Sequence, residues 1–138
     1  MIAVDTGFLF ALVDKRDAWH ERARAQLPTA AEGWITTWPV LTEATRLMTR
    51  WLGAEFAAAL MDDVAMGGLA VWQPAAAQWP HIPALMRRYA KLPMDLADAS
   101  LVIAAEQLAS GRILSTDQRD FGAHRWKNRK PFHNLLVL

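Results

Sequence analysis

Apolar residues fall in short runs separated by sharp polar breaks. Met1 to Val4 is a partly β-branched run closed by Asp5-Thr6-Gly7, the pattern of a buried strand ending in a turn. Phe8 to Val13 stays apolar and predicts a helix, broken by Asp14, Lys15, Arg16 and Asp17. Asp17 is placed to cap a second helix, Ala18 to Leu27, which Pro28 ends. After a loop from Thr29 to Gly33, Trp34-Ile35-Thr36-Thr37 suits a strand, and Pro39 opens a helix running to about Leu52 with Gly53 beyond its end. In that helix Val40, Ala44, Leu47, Met48 and Trp51 recur at helical spacing and predict a core face, with Glu43 close beside it.

The second half continues the alternation. Ala54 to Ala65 predicts a helix stopped by Gly67-Gly68, followed by a strand from Leu69 to Trp72 and a break at Pro74. Pro80 and Pro83 interrupt the Ala-rich segment 75–92, leaving a clean helix only from about Ala84 to a stop at Pro93. Asp95 to Ala109 carries the clearest helical pattern, with Leu96, Ala99, Val102, Ile103 and Leu108 apolar and Gly111 at its C-terminal end. Arg112 to Ser115 reads as a strand with Thr116-Asp117 as its exit turn. The basic stretch His124 to Lys130 reads as a loop or short helix, and Leu135 to Leu138 as an edge strand. Strands alternating with helices predict an α/β fold around a mainly parallel sheet. No repeat or linker divides the chain, so residues 1–138 are read as a single domain.

Composition narrows the chemistry. At 138 residues and 53% apolar, the chain can bury a core without disulfides or structural zinc. It has no cysteine, which excludes thiol catalysis, Cys-rich zinc sites and Fe–S clusters. Fifteen basic and 14 acidic residues leave a net charge of +1, so a polyanionic partner must be held locally rather than by an overall field. The apolar stretches fall short of the roughly 18 to 20 residues that cross a bilayer, and Asp5 interrupts the N-terminal run, which no basic segment precedes. The expectation is a cytoplasmic protein with no membrane span.

The acids are distinguished by where they fall. Asp5 follows the first strand, Glu43 lies in the helix after the second, Asp98 begins the clearest helix, and Asp117 follows the fourth strand. In open parallel sheets the crevice lies beyond the carboxyl ends of the strands, where helix N-termini also face. Each acid alone has an ordinary explanation. Asp5 fits an Asx turn, Glu43 an ion pair with Arg46, Asp95 and Asp98 the first turn of a helix, and Asp117 and Asp120 turn caps. Their shared placement at strand ends is what predicts a common cleft. Carboxylates gathered there either acquire raised pKa values or take up a cation, and an oxygen-only donor set suits Mg²⁺ or Mn²⁺. The reaction that follows is phosphodiester hydrolysis.

Val4-Asp5-Thr6-Gly7, Thr42-Glu43-Ala44, Asp95-Leu96-Ala97-Asp98-Ala99 and Ser115-Thr116-Asp117-Gln118-Arg119-Asp120-Phe121, in this order and spacing, resemble the signatures of PIN-domain ribonucleases. More narrowly they resemble the small bacterial VapC-type toxins of type II toxin–antitoxin modules. The resemblance spans residues 2 to about 121 and implies a three-layer α/β/α fold with four or five sheet strands. It further implies an endoribonuclease that uses Mg²⁺ or Mn²⁺ to cut single-stranded regions of RNA, inhibited by a cognate antitoxin and commonly homodimeric. Carried over by position, Asp5, Glu43, Asp98 and Asp117 are the catalytic metal ligands, with Asp120 adjoining. Thr116 and Thr6 would hydrogen-bond a ligand carboxylate or substrate phosphate, and Asp95 matches a variable position.

Arg46, Arg50, Arg87, Arg88, Arg119, Arg125 and Lys127 are candidate phosphate contacts, Arg46 and Arg119 foremost, against the plain alternative of solvated surface charge. Seven tryptophans are many for this length. Most are expected in the core, with Trp19, Trp51 and Trp79 candidates for partner surfaces. The four histidines do not cluster and receive no catalytic role. Other readings fit less well. Asp5-Thr6-Gly7 also marks aspartic proteases, but their fold is built from strands. An aspartyl phosphatase needs a second acid where this chain has Gly7. A non-toxin PIN nuclease of RNA processing, or a catalytically silent binding module of the same fold, are the closer alternatives.

Overall fold

The central strand β1 (Ile2–Val4) is buried along its whole length, as expected of a strand covered by helices on both faces. A computed structural model describes residues 1–92, 94–127 and 130–137, with the side chains of residues 118–120 outside the description. In chain order the elements are β1, α1 (Thr6–Val13), α2 (His20–Ala25), β2 (Trp34–Thr37), α3 (Trp38–Trp51), α4 (Ala54–Ala65) and β3 (Ala70–Trp72). There follow α5 (His81–Arg88), α6 (Leu96–Leu108), β4 (Arg112–Leu114), α7 (Gln118–Ala123), β5 (Arg125–Trp126), β6 (Lys130–Pro131) and β7 (His133–Asn134). Five strands form a parallel sheet in the order β3-β2-β1-β4-β7, while β5 and β6 pair antiparallel apart from it. The three-layer α/β/α architecture is therefore as expected.

Strand order fixes where a site can form. The chain winds from β1 outward through β2 and β3, then crosses to the other side of β1 to lay down β4. The direction of winding reverses between β1 and β4, which opens a crevice at their C-terminal ends. Asp5 leaves β1 there and Ser115-Thr116-Asp117 leaves β4. The register Val4 opposite Leu114 sets the two exits side by side, and the Asp5 amide donates to the Leu114 carbonyl at 3.2 Å.

Several local expectations are corrected. The helix after Asp17 forms only from His20 to Ala25, because the Asp17 carboxylate accepts from the Trp19 amide at 2.8 Å and holds a turn first. Residues 27–32 coil into 3₁₀ helix rather than loop. Pro83 does not delay α5, because it stands in the first turn, where its missing N–H costs nothing; the stop expected at Pro93 lies outside the described residues. Helix α6 is ended by Ala109, whose φ of 52° makes the left-handed turn. Gly111 is needed for a different reason, since a Cβ there would overlap the Trp126 indole nitrogen. The basic stretch 124–130 contributes β5 and β6, and the edge strand is His133–Asn134, with Leu135–Val137 a 3₁₀ turn. Asn128, Arg129 and Leu138 lie outside the described residues.

The tryptophan expectation is also corrected. Only Trp34 and Trp126 are buried, Trp19 and Trp72 are half-buried, and Trp38, Trp51 and Trp79 are exposed. Trp51 is the last residue of α3 and stands exposed under Arg50, in line with its expected place on a surface. Among the described residues no helix is long and apolar enough to cross a membrane.

Candidate active site at the carboxyl edge of the sheet

Asp5 caps α1: its Oδ1 accepts from the Phe8 amide at 2.9 Å. Its Oδ2 accepts a short hydrogen bond from the Ser115 hydroxyl. Although only 7% exposed, it faces further negative charge. Burial drives its pKa up from 3.8 to about 6, against the Ser115 and Phe8 hydrogen bonds, and Asp117 and Glu43 push it in the same upward direction. Thus three of the acids singled out in the sequence share one electrostatic neighbourhood.

Ser115 is the residue that sequence reasoning left without a role. Fully buried, it donates to Asp5 and accepts from the Asp117 amide at 2.9 Å, so one hydroxyl orients two acid-bearing turns. Its own backbone is clamped by Asn134, whose Oδ1 accepts from the Ser115 amide at 3.1 Å and whose Nδ2 donates to the Ser115 carbonyl at 2.9 Å. Asn134 lies on the edge strand, 19 positions away, and nothing in the linear sequence links the two.

The other walls are held as tightly. Thr36 Oγ1 donates to the Val4 carbonyl at 2.9 Å, joining β2 to the end of β1. Ser100 Oγ donates to the Ala97 carbonyl at 2.6 Å, so Thr37 must be the donor in the 2.6 Å bond between Thr37 Oγ1 and Ser100 Oγ. That bond ties the start of α3, which bears Glu43, to the second turn of α6, just past Asp98. Asp98 and Asp95 form a reciprocal cap. Asp95 Oδ1 accepts from the Asp98 amide at 2.8 Å, and Asp98 Oδ2 accepts from the Asp95 amide at 3.4 Å. Asp95 is thus the N-cap of α6, one residue before the first turn in which it was expected.

Thr6 is buried and donates to the Val40 carbonyl at 3.5 Å, so in this conformation its hydroxyl tethers α1 to α3. Thr116 is half-buried and packs so closely over Gly7 that a Cβ at that position would overlap its Oγ1. The third residue of the Asp5-Thr6-Gly7 triplet must therefore lack a side chain. Glu43 and Arg46 are both exposed on the wall of a groove of about 610 Å³ and make no ion pair with each other. Arg125 is spent on the end of α7, its Nη1 donating to the carbonyls of Gly122, Ala123 and His124. The side chains of Arg119 and Asp120 lie outside the described residues, and their expected roles rest on the resemblance alone.

Two histidines are interior. His20 donates from Nδ1 to the Ala11 carbonyl at 2.7 Å, an ordinary core contact. His124 is fully buried against Tyr89 and Phe121, with no well-formed hydrogen bond at either ring nitrogen. Burial holds its pKa below the usual imidazole value, although Asp117, Asp95 and the Leu92 backbone pull the other way.

Among the described residues no three acidic or imidazole groups stand close enough to hold a metal ion in this conformation. The donor chemistry nevertheless suits a hard cation: oxygen donors only, one of them with its pKa raised by burial and neighbouring negative charge.

A parallel sheet with its acids at the β1/β4 reversal is the architecture of a PIN domain, and the PIN domain family model matches residues 2–126; the chain belongs to that family. It is similar to the ribonuclease VapC26 of Mycobacterium tuberculosis, 24% identical over 122 residues that cover 88% of this chain and 90% of that protein. Its fold matches the crystal structure of the sarcin–ricin loop cleaving toxin VapC20 of M. tuberculosis. The TM-score is 0.81 at 21% identity, over 95% of this chain and all of that one.

Proposed function

We propose that this protein is an endoribonuclease of the VapC type, hydrolysing phosphodiester bonds in single-stranded regions of RNA with Mg²⁺ or Mn²⁺. The observation that carries this reading is the buried Asp5 carboxyl, raised to about 6 by burial and pushed the same way by Asp117 and Glu43 at the mouth of the crevice. A carboxylate placed so is costly to the fold unless a cation neutralises it. The similarity to VapC26 and VapC20 supplies RNA as the substrate.

Asp5, Glu43, Asp98 and Asp117, with Asp120 adjoining, would hold the ion. When bound, a hard dication generates hydroxide from water near neutral pH and offsets charge on the phosphate oxygens. The chain's own contribution is placement. Asp5 is held by Phe8 and Ser115, the Asp117 amide by the same serine, and the starts of α3 and α6 are joined by the Thr37–Ser100 bond, which supports a shared rim for Glu43 and Asp98. Arg46, exposed on that rim and not ion-paired with Glu43, would steer a backbone phosphate. The VapC likeness also supports a cognate antitoxin that covers the cleft, a homodimer, and action in the cytoplasm.

Purified protein, free of any antitoxin, should cleave a single-stranded oligoribonucleotide in Mg²⁺ or Mn²⁺, stop on addition of EDTA, and resume on readdition of the metal. Undiminished cleavage in EDTA would remove the metal from the account. No cleavage of any RNA by folded, metal-loaded protein would favour the silent binding module.

A further inference from the structure

The seven tryptophans divide by what covers their rings. Trp34 meets Phe8 edge-on at 5.2 Å, while Arg22 lies over Trp19 at 5.1 Å, Arg50 over Trp51 at 5.1 Å, and Lys130 over Trp126 at 4.9 Å. Among the described residues Trp38, Trp72 and Trp79 have no aromatic or cationic partner, and all three line one groove. Trp38 and Trp79, from the start of α3 and the segment before α5, are 51% and 58% exposed. The groove's volume of about 610 Å³ is that of a ligand site, and Glu43 and Arg46 lie on its wall.

Resting on the nuclease reading above, we propose that this groove binds the unpaired bases flanking the scissile phosphate, which stack on Trp38 and Trp79. Each feature needed is present. Two indoles are more than half exposed, Arg46 lines the same groove, and the groove shares Glu43 with the acidic crevice, so a base seated there would have its phosphate beside the reacting centre. Single-strand binders combine stacking surfaces with cations in this way. An apolar protein segment could use the indoles but would leave Arg46 and Glu43 unmatched at its edge. Because every base has a π face, Trp38 and Trp79 select for unpaired RNA rather than for one base.

The test is binding of a fluorescein-labelled single-stranded oligoribonucleotide, followed by anisotropy in Ca²⁺, which substitutes poorly for octahedral Mg²⁺. Trp38→Ala and Trp79→Ala should each weaken binding by about tenfold or more. Trp38→Phe and Trp79→Phe should keep most of the affinity, and Trp51→Ala should match wild type. Unchanged affinity in both groove variants, an equal loss in Trp51→Ala, or no binding by wild type would overturn the proposal. So would a shift from dimer to monomer in the groove variants with affinity intact, which would assign the groove to a second copy of the chain. Cleavage of the same oligonucleotide in Mg²⁺ is scored separately. Its absence, with tryptophan-dependent binding intact, would defeat the nuclease reading and leave the stacking site standing.

Discussion

Asp5→Asn is expected to lose RNA cleavage by two to three orders of magnitude and yet, metal-free at pH 7.5, to melt at a higher temperature than wild type. The loss follows from removing a ligand whose cation supplies several kcal/mol of transition-state stabilisation. The gain follows from the Asp5 pKa, about 6 in the fold against 3.8 without it. The folded state binds this proton more tightly, so its contribution to stability is largest below about pH 4, is lost as pH rises through about 6, and is flat above about pH 7. At neutral pH the difference amounts to roughly 3 kcal/mol of strain on the metal-free fold. Asparagine caps a helix about as well as aspartate but cannot accept the Ser115 proton in the same way, so a net gain of about 1 to 2 kcal/mol is expected. His124 contributes the opposite slope, since its depressed pKa costs stability as pH falls below the usual imidazole range. Subtracting the Asp5→Asn melting curve from that of wild type across pH 4 to 8 cancels the His124 contribution. An Asn variant no more stable than wild type at pH 7.5 would mean that Asp5 carries no such strain.

Ser115→Ala is expected to cut cleavage near pH 7 by about 10- to 100-fold and to move the acid limb of its pH profile upward. The serine hydroxyl lowers the Asp5 pKa, so removing it lets burial and the neighbouring acids raise that pKa further beyond about 6. Part of the activity should therefore return at higher pH, where Asp5 ionises again. The Asp117 amide also loses its acceptor, and a buried polar group left unpaired costs about 1 to 3 kcal/mol. Circular dichroism and a pH–rate profile separate these effects. Lower activity with an unshifted acid limb would mean that Ser115 only supports the fold.

What the sequence disclosed, and what it hid, follows from the range of the interactions involved. Strand β2 and helix α4 match their predicted bounds because each is set by a local pattern with a Pro or Gly at its margin. Asp5 and Asp117 stood out because they follow the ends of β1 and β4, which periodicity locates. The architecture around them did not. Ser115 has a role only because β4 lies beside β1, and Asn134 only because the chain returns to the edge of the sheet. The tryptophans misled for a related reason: hydrophobicity favours burial, but a residue such as Trp38, at the first turn of a helix leaving the sheet, stands at the rim of the core. The C-terminal segment was misjudged because Trp126 fits over Gly111 and draws residues 125–131 into a ribbon.

Calorimetric titration of folded protein with Mn²⁺, repeated at pH 5.5 and 7.5 in buffers of different ionisation enthalpy, tests most directly whether these acids together form a cation site. The account predicts saturable uptake that is weaker at pH 5.5 and displaces a proton there, little proton release at pH 7.5, and loss of uptake in Asp5→Asn. Uptake that ignores pH and survives that substitution, or none at all, would contradict it.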